Sequence, residues 1–217
     1  MELFDLVRLD HFRGFSTYWE VKGGSADAVD GKWIKGPAED LFDSIQNEFP
    51  EMPFIAEDLG DIDQEVYDLR DRYNLPGMRI LQFAFDGEIA KSVFIPFNYT
   101  SNSVVYTGTH DNNTVKGWYM HEAGKKSRKN LNRYLGRKIT QKNCHKEMIR
   151  ECYKSIARIA VIPMQDILGL GRKNRMNFPS TETGNWLWRM KKSQFNRKHA
   201  KKLFGLTKIY GRTNIPE

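Results

Sequence analysis

Three short strings place acidic residues at the ends of apolar runs: Arg8-Leu9-Asp10-His11-Phe12-Arg13-Gly14, Ile55-Ala56-Glu57-Asp58-Leu59-Gly60 and Gly108-Thr109-His110-Asp111-Asn112-Asn113. In a strand, residues two apart share a face, so Arg8 and Asp10 project together. A guanidinium beside a carboxylate favours the ionised form, which suits a nucleophile. Glu57 follows Phe54-Ile55-Ala56, and apolar surroundings raise a carboxyl pKa, which suits a proton donor. Two carboxylates under opposed pressures are what glycoside chemistry requires. In retaining enzymes they lie ~5–5.5 Å apart, one as nucleophile and one as acid/base. A third, Asp111, could bind sugar hydroxyls and stabilise transition-state charge. Each residue also has an ordinary reading. A strand-end Asp commonly caps a helix, and Asp58 and Asp61 fit that role too. His11 and His110 taken alone read as hydrogen-bonding histidines. Spacing by itself is therefore a weak pointer.

A scaffold must bring these strings to one end. Apolar runs over residues 6–10, 53–57, 78–85, 103–109 and 159–165 read as five strands. Residues 37–49 carry Leu41, Phe42, Ile45 and Phe49 at helical period. Residues 63–73 form a second helix, with Asp63 as N-cap, a Val66, Leu69 and Tyr73 stripe, and a stop at Asn74 and Pro76-Gly77. Residues 114–158 are polar and helical, and helices over 185–190 and 193–204 are expected to close the chain. Alternation of strand and helix predicts parallel βαβ units in one α/β domain over 1–217, without repeats or low-complexity linkers. In α/β barrels function sits at the C-terminal ends of strands, where these acids fall.

With 217 residues and 40% hydrophobic content the chain can build a sizeable core. Two cysteines, Cys144 and Cys152, offer neither zinc spacing nor a disulfide framework, which points to reduced thiols and a cytoplasmic location. No apolar run approaches the ~18 residues of a membrane span. The net charge of +7 is divided unevenly: −12 through Gly124 and +19 beyond it. A basic half can hold nucleic acid, but the basic residues sit at helical spacing without a nucleic-acid motif, so a solvated helical surface is the preferred reading.

The full strings, taken in order, resemble the 4-alpha-glucanotransferases (amylomaltases, or disproportionating enzymes) of the alpha-amylase clan. Arg8 to Gly14 is similar to the family's nucleophile strand, Trp33-Ile34-Lys35-Gly36-Pro37 to the loop after it, and Ile55 to Gly60 to the acid/base strand. Pro76 to Phe85 resembles the next segment, and Gly108 to Asn112 the strand bearing the third carboxylate. Gln165 to Leu170, Arg175-Met176-Asn177-Phe178-Pro179 and Asn185-Trp186 resemble the closing region.

The resemblance implies a partial (β/α)8 barrel comprising about the last five strands, the C-terminal portion of the family's chain, with the strands before the nucleophile absent. It implies that Asp10 attacks the anomeric carbon, that Glu57 protonates the leaving glucan and deprotonates the acceptor, and that Asp111 stabilises the transition state. Arg8 would orient Asp10, and Arg8, His11, His110 and Asn112 would contact the sugar. Neither metal nor organic cofactor is implied. The partners implied are alpha-1,4-glucans, exchanged by retaining double displacement, together with a polypeptide supplying the other barrel half. Trp118, Tyr119, Trp186 and Trp188 could favour a sugar acceptor over water by stacking, although core burial is the commoner role for such residues. Two other readings stand beside this one: an inactive remnant that keeps only the fold, and a basic module for nucleic acid or another polyanion.

Overall fold

The computed structural model describes residues 2–213, and the chain divides into two compact units, Met1–Met78 and Arg79–Glu217.

The first unit contains β1 (Val7–Leu9), α1 (Arg13–Ser16), β2 (Thr17–Val21), β3 (Gly31–Lys35), α2 (Ala38–Glu48), β4 (Phe54–Ala56), α3 (Gln64–Arg72) and the start of β5 (Gly77–Ile80). β4 lies parallel to β1 and to β5, with Leu9 opposite Ala56 and Ala56 opposite Gly77. Asp63 caps α3 as expected, accepting from Val66 N at 3.2 Å. The core gathers the apolar stripes of both longer helices over β4, with Phe12, Phe42, Val66, Leu69, Tyr73 and Leu75 buried. Phe42 meets Phe12, Phe15 and Tyr73 at centroid separations of 5.3–5.4 Å. β2 and β3 form an antiparallel hairpin that local reading missed. Its strands are joined by nine residues rather than a two-residue turn, so no tight-turn signal marks it.

The second unit takes up the end of β5. The run expected as a strand over 78–85 is a strand only to Ile80. Leu81–Phe85 is a 3₁₀ turn, which buries Leu81, Ala84 and Phe85 as a plug rather than as a ladder. β6 (Ser103–Tyr106) follows, then α4 (Val115–His121), α5 (Lys125–Leu135), α6 (Cys144–Lys154), β7 (Ile159–Val161), α7 (Met164–Ile167) and α8 (Arg197–Ile209). β6 and β7 are parallel, with Tyr106 opposite Val161. The core combines Leu81, Phe85, Ile95, Val105, Trp118, Leu131, Met148 and Cys152. The strand expected over 159–165 ends at Val161, because Pro163 opens α7. The helix expected over 185–190 is irregular backbone; Gly184 and Trp186 both have positive φ there, which breaks helical geometry. The closing helix starts and ends later than expected, capped by Asn196. Strands that alternate with helices and pair in parallel make this an α/β chain of partial-barrel type.

Among the described residues no helix is long and apolar enough to cross a membrane, and no cluster of three His, Cys, Asp or Glu could hold a metal ion. Both cysteines are free and buried.

Candidate active site

The first unit builds its part of the site from parallel register. Leu9 and Ala56 are partners, so Asp10 and Glu57 leave β1 and β4 at the same level. Two main-chain bonds fix that exit. Glu57 N donates to Leu9 O at 3.1 Å, and Phe12 N donates to Glu57 O at 3.2 Å. His11 adopts a left-handed backbone, φ 48°, and its N–H donates to Glu57 Oε2 at 2.7 Å. Arg8 Nη2 sits 2.7 Å from Asp10 Oδ1, the same-face pairing expected of residues two apart, while the Asp10 side chain remains 77% exposed. Arg8 Nε donates to the Met78 sulfur. The Glu57 carboxyl is pushed above its ordinary pKa by burial and, less, by the Asp10 charge; the His11 N–H and the Arg8 guanidinium oppose the shift without cancelling it. Asp10, Glu57, Arg8 and His11 therefore come together.

Asp58 has a different task from capping. Its side chain is fully buried and accepts from Met78 N at 2.6 Å and from Arg70 Nη1 at 2.5 Å. A Cβ on Gly77 would fall 2.4 Å from Asp58 Oδ2, so the carboxylate fits only because position 77 is glycine. This braces β4 against β5 immediately beside Glu57.

The second unit holds the other strand-end cluster. Asn112 Oδ1 accepts from Thr109 N at 2.8 Å and from Thr109 Oγ1 at 3.0 Å, which closes the turn that presents Asp111. Its carbonyl is thus committed to the turn. His110 Nε2 lies 3.2 Å from Asp111 Oδ2. Asn177 Nδ2 donates to Asp111 Oδ1 at 2.5 Å, and Arg175 Nη2 donates to the Asp111 carbonyl at 2.5 Å. Asn177 N donates to His110 O at 3.1 Å, and Arg175 Nη1 reaches Glu122 at 3.4 Å. Arg175 and Asn177 were assigned no role by sequence reasoning. They lie in coil more than 60 positions from Asp111, where no periodicity links them to it. Their only signal was membership of the string Arg175 to Pro179.

A cavity of about 150 Å³ opens beside this turn, lined by His110, Asn112, Gln165, Asp166, Arg175 and Trp186 among others. Trp186 is half-exposed and lies against His110 at 5.0 Å between ring centroids. Trp118 and Tyr119 are core residues, and Trp188 is half-buried. Asp166 forms the floor: Thr107 Oγ1 donates to it at 2.6 Å and Val115 N at 2.7 Å. Burial pushes its pKa up to about 6, against the lowering effect of those two bonds.

A carboxyl whose neutral form is favoured by burial, beside an exposed carboxylate paired with a guanidinium, suits acid-assisted displacement at a sugar carbon. The profile of the 4-alpha-glucanotransferase family matches residues 1–195. The chain belongs to this family. Relatives include the 4-alpha-glucanotransferases of Streptococcus pneumoniae, 47% identical over 98% of this chain and 42% of that protein, and of Aquifex aeolicus, 46% identical over 98% and 43%. The chloroplastic/amyloplastic enzyme of Solanum tuberosum is 44% identical over 97% of this chain and 37% of its own length. Among solved structures, amylomaltase from Streptococcus agalactiae in complex with acarbose superposes with a TM-score of 0.92 at 36% identity, over 98% of this chain and 43% of that one. Amylomaltase from Corynebacterium glutamicum, 16% identical with a TM-score of 0.65 over 84% of this chain and 31% of that one, shares the fold. The chain thus spans about two fifths of the length of the family members it matches.

Proposed function

We propose that this chain carries the catalytic carboxylates of alpha-1,4-glucan transfer by retaining double displacement. Asp10 is the nucleophile, with Arg8 orienting it through their 2.7 Å ion pair. Glu57 donates its proton to the departing glucan oxygen, and the resulting carboxylate then takes the proton of the incoming 4-hydroxyl. Asp111 stabilises the positive charge that develops at the sugar ring. His11 and His110 hydrogen-bond the sugar, and Asn112 offers its amide N–H. Trp186 provides an apolar face beside His110 on which a sugar ring can stack. The observation that carries the reading is the pairing of Leu9 with Ala56, which brings Asp10 and Glu57 out of adjacent parallel strands at one level, with Arg8 on Asp10 and the His11 N–H on Glu57.

Substrate positioning is shared with the rest of the family's polypeptide, because a site of this kind draws on loops after several strands. The two buried free thiols support a cytoplasmic location.

The test is incubation with maltotriose, with the chain alone and with the unmatched portion of the Streptococcus pneumoniae relative supplied in trans, beside an Asp10→Asn control. Glucose plus longer maltodextrins, absent from the control, is the expected result. Shorter sugars alone would replace transfer by hydrolysis. No turnover in either mixture would favour a remnant that keeps only the fold.

A further inference from the structure

The second unit contains a larger cavity, about 280 Å³, whose chemistry does not match a neutral glucan. It lies among α6, α7 and α8. His145 and Ile149 line it from α6, one helical turn apart. Ile167 and the following Leu168 line it from α7, and Leu203 and Leu206 from α8. Its α8 residues lie beyond the stretch matched by the family profile.

The walls are apolar and the mouth is cationic. Lys146, Lys198 and Lys202 line it, and none of them forms an ion pair among the described residues. Among the described residues no acid lines the pocket, and Glu147, next to Lys146 in sequence, is already engaged by Arg137 at 2.5 Å and lies 3.9 Å from Arg150. Lys202 is held below its ordinary pKa by burial and by the charges of Lys146 and Arg150, with Glu147 opposing. Like charges gathered without a counter-charge repel each other, and an anion seated among them relieves that repulsion. Inside, His145 is 8% exposed, and its Nδ1 is buried without a hydrogen-bond partner. A buried polar atom without a partner is uncommon and calls for a ligand or an ordered water. A Cβ on Gly169 would meet His145 Nε2 at 2.7 Å, so the imidazole is packed in place.

We propose that this pocket binds a small amphipathic organic anion, a phosphate or carboxylate on an apolar body. The anionic group sits among Lys146, Lys198 and Lys202, and the body packs on Ile149, Ile167, Leu203 and Leu206 beside His145. Neither half of that ligand suffices. An uncharged ring leaves the lysines unrelieved, and a bare anion leaves the apolar wall uncovered.

Phenyl phosphate is the probe, followed by amide chemical shifts of the isotopically labelled chain, with inorganic phosphate and phenol as single-feature arms. The expected result is saturable one-site shifts at Ile149, Gly169 and Leu203, with each single-feature arm weaker by about tenfold or more. A double variant, Lys146→Gln with Lys202→Gln, changes two exposed side chains and is expected to weaken phenyl phosphate by about tenfold with the unliganded spectrum otherwise kept. Shifts that are absent, scattered over the chain or unaffected by the double variant would overturn the site. Inorganic phosphate binding as tightly as phenyl phosphate would overturn the amphipathic class.

Discussion

Asp10 and Asp111 both follow a parallel strand, yet Asp10 projects 77% exposed with a single guanidinium at 2.7 Å, while Asp111 is held by Asn177, His110 and Arg175 through side chain and main chain alike. The difference matches the two tasks. A nucleophile must close on carbon and then let go, so a lightly tethered carboxylate serves. A group that stabilises transition-state charge works by being in place beforehand, and preorganised bonds supply that. Glu57 stands between the extremes: main-chain bonds lock its position while burial pushes its pKa up.

The largest effect that sharpens the contrast is at Asp10 itself. Asp10→Asn is expected to lower transfer by ~10⁴-fold or more with the unfolding midpoint unchanged, because no intermediate can form and little packing is lost. Product analysis with maltotriose checks it.

Glu57→Gln comes next, at roughly 10²–10⁴-fold. Its raised pKa makes the acid form persist to higher pH, so activity falls on the alkaline side as Glu57 loses its proton, and that limb vanishes in the variant. A pH profile that keeps the limb in Glu57→Gln would assign it to another group.

Asp166 offers a stability test confined to the second unit. Its folded pKa of about 6 lies above the reference 3.8. The protonated form is therefore favoured by folding: its contribution is present below 3.8 and is lost as pH rises through about 6. Across that window the unmutated chain is expected to lose up to roughly 3 kcal/mol of unfolding free energy relative to Asp166→Asn, read from urea titrations at each pH.

The smallest effect is the one most specific to the comparison. Asn177→Ala frees one oxygen of Asp111 and is expected to reduce kcat by roughly tenfold to a hundredfold with KM little changed. The same readout on Arg8→Lys, at the loosely held carboxylate, is expected to move less. Equal losses would erase the distinction between the two carboxylates.

Much of the site was legible because its chemistry lies in continuous strings. Arg8 and Asp10 are two apart in a strand, and Glu57 follows three apolar residues, so local pattern was enough to pair one and bury the other. The α3 cap at Asp63 was legible for the same reason. What depended on distant contacts was not. Asp58 read as a cap until Arg70 and Met78 N were seen to share it, and Arg175 and Asn177 reach Asp111 from remote coil. Leu81–Phe85 has strand-forming residues but turns, because its side chains fill the second core from a 3₁₀ geometry. Residues 185–190 have helical composition but carry Trp186 at φ 61°, where it meets His110.

The most direct test of the central claim is to trap the intermediate. The chain, supplied in trans with the unmatched portion of its Streptococcus pneumoniae relative, is incubated with a slow-turnover fluorinated glucosyl fluoride, digested and analysed by mass spectrometry. One glycosyl unit is expected on the peptide bearing Asp10, and none in Asp10→Asn. A glycosyl unit on the peptide bearing Glu57 or Asp111, or an unlabelled Asp10 in a mixture that still turns over maltotriose, would contradict it.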